Sequence, residues 1–201
     1  MNRYTYILDN GHGGVIDGVP QTPGKRSPDF GKGILYEGES NRLLVKKLAK
    51  KLSGAGIKYH ILVDELQDVS LAERVRRTNV LAKLEKCILI SVHSDAFTND
   101  MANGWSCFTT KGETKSDKVA TIMYKHAKNE CLKLRVDYAD KDPDKEEDFY
   151  ILRKTSCPAV LVENLFMTNK ADYETLMSEY GQDKLVRAMY YTIKEIEENG
   201  I

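Results

Sequence analysis

The segment that most restricts the fold is Cys87 to Val92, a continuous apolar run built on Ile88, Leu89, Ile90 and Val92. A strand with one face in water alternates apolar and polar residues. A run of this kind is expected where both faces are covered, as in a parallel sheet flanked by helices. His93 follows it directly.

The rest of the chain supplies the alternating partners such a sheet needs. Tyr4 to Leu8 reads as a buried strand, followed by the glycine-rich turn Asp9-Asn10-Gly11-His12-Gly13-Gly14, where backbone can pass close to a ligand. Residues 15 to 36 carry Gly, Pro and Ser without periodicity and are expected to form a long loop. A helix is predicted from Gly38 to Leu52, with Leu44, Val45, Leu48 and Leu52 on one stripe and Gly54 and Gly56 ending it; Glu37 stands at its start. Ile57 to Val63 reads as the next strand, and Ser70-Leu71-Ala72-Glu73 has capping-box spacing for a helix to Leu84.

Beyond the central run, Trp105 to Thr109 is predicted as a strand and Ser116 as the cap of a helix whose Val119, Ile122, Met123 and Ala127 face the core. The charged stretch Asp137 to Asp148 reads as a loop. Phe149 to Leu152 and Ala159 to Val162 read as strands, and Asp172 to Tyr180 and Asp183 to Glu198 as closing helices. The sum is one α/β domain over residues 1 to 201. About six strands form a mostly parallel or mixed sheet, with helices on both faces and no further domain.

Composition narrows the function classes. Lys+Arg and Asp+Glu both number 30, for a net charge of zero, which argues against a nucleic-acid partner. Cys87, Cys107, Cys131 and Cys157 form no CxxC pair and are expected as reduced thiols, mostly in the core. The first residues lack the regions of a signal peptide, and no apolar stretch approaches the roughly 20 residues needed to span a bilayer. The expectation is a monomer without a membrane anchor.

In α/β sheets ligands bind at the carboxyl ends of strands. His12, His93 and Glu163 fall at or just after such ends. Catalytic zinc takes three nitrogen or oxygen ligands and leaves a fourth position open, so two histidines and one carboxylate suit it, and a second carboxylate would be free to move protons. The residues alone leave open which carboxylate does which, and whether they meet.

Five ordered blocks resolve this by resemblance. They are Leu8 to Gly14; Glu37 with Asn41; Ser70 to Val75 with Asn79; Ile90-Ser91-Val92-His93-Ser94-Asp95-Ala96; and Pro158 to Phe166 with Asn169. Together they resemble the zinc-dependent N-acetylmuramoyl-L-alanine amidases of the amidase-3 family over nearly the whole chain. The resemblance implies one zinc ion held by His12, Glu37 and His93, with Glu163 as catalytic carboxylate, first base and then acid. It implies peptidoglycan as substrate, cut between the muramic lactyl group and L-alanine. Glu39, two residues on, is the rival for the carboxylate ligand; Glu37 has the family spacing from Asn41.

Three positions depart from the pattern: Asn10 replaces a proline, Asp95 a common asparagine, and Asn164-Leu165 a pair that usually contains glycine. The loop between His12 and Glu37 is longer than typical, and Asp140 to Asp148 has no counterpart. Competing readings are a zinc peptidase acting on stem peptides and a non-catalytic wall-binding module. A wall substrate without an export signal fits a lysin that stays cytoplasmic until released.

Other residues read as structural. His60 lies inside a strand and His126 borders a helix's apolar face. Trp105, Phe108 and Tyr150 are expected in the core, and Lys194 to Asn199 on a solvated helix face. Asp9 and Asp95 are candidates for orienting a ligand histidine.

Overall fold

The computed structural model describes residues 2–139 and 141–201, so Met1 and, within the charged stretch, Asp140 lie outside the described residues. In chain order the elements are β1 (Thr5–Asn10), β2 (Val15–Ile16), β3 (Val19–Pro20), α1 (Glu37–Gly54), β4 (Tyr59–Ile61), α2 (Leu71–Leu84) and β5 (Cys87–Asp95). There follow β6 (Ser106–Thr109), α3 (Lys115–Asn129), β7 (Lys145–Glu146), α4 (Tyr150–Lys154), β8 (Ala159–Phe166), α5 (Lys170–Met177) and α6 (Glu179–Asn199).

Six strands form one mixed sheet in the order β4-β1-β5-β8-β6-β7. The four strands β4, β1, β5 and β8 run parallel, and β6 turns antiparallel against β8. The apolar run is central, as its composition requires. Along β5, Ile88, Ile90 and Val92 join a core cluster with residues of α1, α3, α5 and α6, while Cys87 and Leu89 join a second cluster with Val75 of α2 and Ile151 and Leu152 of α4. Helices therefore cover both faces. Leu44, Val45, Leu48 and Leu52 of α1 are all buried, each worth about 1.5–3 kcal/mol of removed apolar surface.

Several local expectations change. Phe149 to Leu152 is not a strand: Phe149 precedes helix α4, and its carbonyl accepts from the amides of Leu152 and Arg153. Four apolar residues are too few for period to separate strand from helix, and contact with α2 decides the matter. Tyr150 is 38% exposed and so leaves the core, whereas Trp105 and Phe108 are buried. The cap of α3 is Thr114, not Ser116, whose hydroxyl instead accepts from the Ala159 amide. In α2 the Ser70 side chain accepts from the Glu73 amide as expected, but the Glu73 carboxylate is taken by Arg76 and Arg77, so the box is half formed. The 15–36 loop carries the β2–β3 hairpin.

All four cysteines are free thiols; Cys87 and Cys107 are buried, Cys157 is half-buried and Cys131 is exposed. Cys131 lies just beyond α3 with φ 54, a turn that carries it out of the core. The C-terminal charged face is solvated in part, but Ile196 is buried and Glu197 accepts from the Tyr4 amide and the Tyr6 hydroxyl, tying α6 to the start of the chain. Leu165, in the Asn164-Leu165 pair that departs from the pattern, has φ 68. That is the left-handed region a branched apolar residue rarely enters.

Candidate active site

β1 ends at Asn10, and the chain turns sharply through His12, whose φ of 66 is also left-handed. α1 begins at Glu37, whose carboxylate sits in the positive first turn of the helix. β5 runs on through His93 to Asp95, so this histidine is part of the strand rather than beyond it. Three elements thus converge at one end of the sheet.

His12, Glu37 and His93 meet there, with one candidate ligand atom from each lying within 4.8 Å of the others. Glu37 Oε1 is 3.2 Å from His12 Nε2 and 3.2 Å from His93 Nδ1. The two imidazoles meet edge to face, with centroids 5.0 Å apart. This close approach requires Gly11, because a Cβ there would lie inside the His93 ring. Gly38 is needed similarly: a Cβ would strike the Gly13 carbonyl, so α1 could not start against the turn.

The rival Glu39 faces elsewhere, its Oε1 accepting from the Val15 amide at 2.8 Å. Glu163 lies beside His93 in the β5–β8 register. Its Oε2 is buried and has no hydrogen-bond partner among the described residues.

These two glutamates sit in opposite electrostatic settings. Burial pushes the Glu37 carboxyl up, but hydrogen bonds from His12 and His93 outweigh it and hold the group well below the usual carboxylate range. Burial pushes Glu163 up to about 8, opposed by His93 and reinforced by Glu37 and Asp95. One carboxylate is kept ionised and the other is shifted so that it exchanges its proton near neutrality, the pattern that separates charge-holding from proton-carrying roles.

Neither aspartate proposed to orient a histidine touches one. Asp9 is fully buried, pairs with Arg74 Nη1 at 2.5 Å and accepts from the Ser91 hydroxyl at 2.6 Å. Asp95 pairs with Arg135 at 3.2 Å. Side-chain direction at a strand end, which sequence does not supply, decides both cases. His60 and His126 pair with Glu85 and Glu195, away from the cluster. Sequence reasoning missed Lys25, whose Nζ is 3.8 Å from Glu37 Oε2; within an aperiodic loop no local signal marks it. A pocket of about 300 Å³ opens on the cluster, lined by Asp9, Gly11, His12, Asp68, Arg74 and His93 among others.

The model of the amidase-3 family, described as N-acetylmuramoyl-L-alanine amidase, matches residues 7–195. The chain belongs to this family. Among curated relatives, the N-acetylmuramoyl-L-alanine amidase LytC of Bacillus subtilis is 27% identical over 92% of this chain and 34% of its own length. The endolysin of Bacillus phage SPP1 is 30% identical over 86% of the chain and 58% of its own length. The chain therefore spans only about a third to three fifths of these relatives.

Two solved structures share the fold along almost their whole length. An N-acetylmuramoyl-L-alanine amidase from Clostridium difficile 630 matches with TM-score 0.80 and 24% identity, covering 99% of both chains. The CwlV catalytic domain from Bacillus (Paenibacillus) polymyxa matches with TM-score 0.76 and 21% identity over 97% of this chain and 98% of that one. The family's mixed α/β architecture is thus the one that carries the cluster.

Proposed function

We propose that the chain is a zinc-dependent hydrolase that cuts the amide between the lactyl group of N-acetylmuramic acid and L-alanine in peptidoglycan. His12, Glu37 and His93 would hold one zinc ion, and Glu163 would carry the proton. The observation that carries the reading is the convergence of two imidazoles on one ionised, buried carboxylate, within a family named for this reaction.

The donor set suits the metal. Two nitrogens and a carboxylate oxygen are ligands zinc accepts. Glu37 Oε2 is buried without a hydrogen bond among the described residues, its nearest charge being Lys25 Nζ at 3.8 Å, so it keeps a lone pair free for a metal ion. A zinc ion bound there supplies a Lewis acid that acidifies water and polarises the scissile carbonyl.

The chain's own residues do the rest. In its ionised form Glu163 accepts a proton from the attacking water as the new C–O bond forms. It returns that proton to the alanine nitrogen as the C–N bond breaks, leaving a lactyl carboxylate and a free amino group on the stem peptide. A carboxyl whose pKa lies near the working pH can serve in both directions. Lys25, on the long loop, stands over the ligand side of the site.

The likeness to a phage endolysin supports a lysin acting on the cell wall. These residues form the catalytic domain, which in this proposal works as a monomer. Among the described residues no helix is long and apolar enough to cross a membrane.

Mass spectrometry of a muropeptide digest, with and without chelator, tests the reading. Stem peptides with a free L-alanine amino terminus should appear, vanish with chelator and return with zinc. Free amines only further along the stem would replace the amidase by a peptidase. An unchanged digest with retained wall binding would replace it by a binding module.

A further inference from the structure

The turn that presents His12 is left-handed at a residue with a side chain, and something must hold it there. Its three consecutive carbonyls are each met by a side chain from a helix. Arg74 Nη1 of α2 donates to Asn10 O at 2.8 Å, Asn41 Nδ2 of α1 donates to Gly11 O at 3.1 Å, and Arg42 Nη1 of α1 donates to His12 O at 2.8 Å. Arg74 Nη2 adds a longer contact to His12 O, at 3.4 Å.

Arg42 is unusual in this set. It is buried, and its guanidinium donates only to carbonyls, those of His12, Gly38 and Glu65; among the described residues it has no carboxylate partner within ion-pair distance. Burying an unpaired cation is expensive, and a fold retains one where its donors are needed. Asn41 does two tasks, since its Nδ2 also reaches Glu37 Oε1 at 3.5 Å. Being one helical turn after Glu37, it ties the turn and the helix start to each other.

From this geometry we infer that Asn41, Arg42 and Arg74 are positioning residues that lock the His12 turn in its left-handed form, aiming the imidazole at Glu37 and His93. They act through the His12 turn, and Asn41 also through Glu37; none of the three is in the ligand set. Asp9 anchors Arg74 and is itself held by Ser91 of β5, so the frame reaches the strand that bears His93. The spacing of Glu37 and Asn41, and the arginine of the α2 motif, thereby gain a physical purpose.

The inference rests on the zinc reading only for its consequence, so the test uses two readouts. In the metal-free full chain, the Cα and carbonyl chemical shifts of His12 report its left-handed backbone. Zinc affinity is measured separately by competition with a chromophoric chelator. Arg42→Met and Asn41→Ala should move the His12 shifts out of the left-handed range and weaken zinc binding by about 10- to 100-fold. Arg42→Lys, with one donor group on a flexible stem, should recover part of both.

Folded variants with wild-type His12 shifts and zinc affinity within about twofold of wild type would overturn the inference. If Arg42→Met does not fold, Asn41→Ala decides on the same two readings. Should the wild-type chain itself bind no zinc, the metal reading falls, while the His12 shifts still decide whether these residues position the turn.

Discussion

Among the described residues three metal-type side chains come together in two places, and the two differ in what their neighbours do to charge. His12, Glu37 and His93 form the first group; Asp117, Asp142 and Asp144, between the start of α3 and the segment leading into β7, form the second. In the first, two imidazoles flank a single carboxylate and keep it ionised. In the second, burial raises the Asp144 carboxyl, with Asp142 and Asp117 adding like charge against a hydrogen bond from Thr109. Proximity alone is thus uninformative. The sign of the neighbours decides whether a buried carboxylate stays charged or takes up a proton.

The contrast breaks most sharply at the first group. Glu163→Gln should lower kcat by about 10²- to 10⁴-fold, the usual worth of a general acid–base group, while zinc content measured by elemental analysis stays at one ion per chain. His93→Ala should lose the metal together with the activity. Retained hydrolysis in the glutamine variant, or full zinc in the alanine variant, would undo the division of roles.

Gly11→Ala comes next, since it places a methyl group where the His93 ring lies. Overpacking of this kind costs about 1–3 kcal/mol, to be read from the denaturant midpoint. Unchanged stability and zinc affinity would mean that the two histidines have freedom to part.

At the acidic group, Asp144→Asn removes a carboxyl whose pKa is raised in the folded chain. Such a group favours folding in its protonated form, so its contribution is full at acid pH. It is lost as pH rises from the ordinary aspartate range through the raised folded value. The variant should therefore unfold at higher denaturant than wild type above neutral pH, with the difference shrinking toward pH 4. Equal midpoints at pH 8 would show that the second group is not strained by its charges.

The smallest effect belongs to Glu39→Gln. Its carboxylate holds a loop amide and faces away from the cluster, so zinc stoichiometry should not change and stability should fall by less than about 1 kcal/mol. A zinc loss like that of Glu37→Gln would reverse the assignment of the two glutamates.

Much of this was legible in the chain. The apolar run at β5, the stripe of α1 and the Ser70 cap define their elements because neighbours within one turn or one strand carry the signal. Where a segment was four residues long, as at Phe149 to Leu152, contact with α2 overrode any local pattern. The same limit applies to the site. His12 and His93 could be suspected from strand ends, while whether Asp9 and Asp95 orient them could not be settled until their partners Arg74 and Arg135 were seen.

By itself, then, the sequence determined the order of the long strands and helices, though not the short β2, β3, β7 and α4, together with the layered class and, through its ordered blocks, the residues worth watching. Those features depend on periodicity and spacing along the chain. The resemblance favoured Glu37 over Glu39, and the tertiary structure places Glu37 between the two imidazoles; only the tertiary structure decided that Glu163 is driven toward its protonated form and that two buried arginines and an asparagine grip the turn. Each of these depends on groups brought together across the sheet, where burial and neighbouring charge act through space.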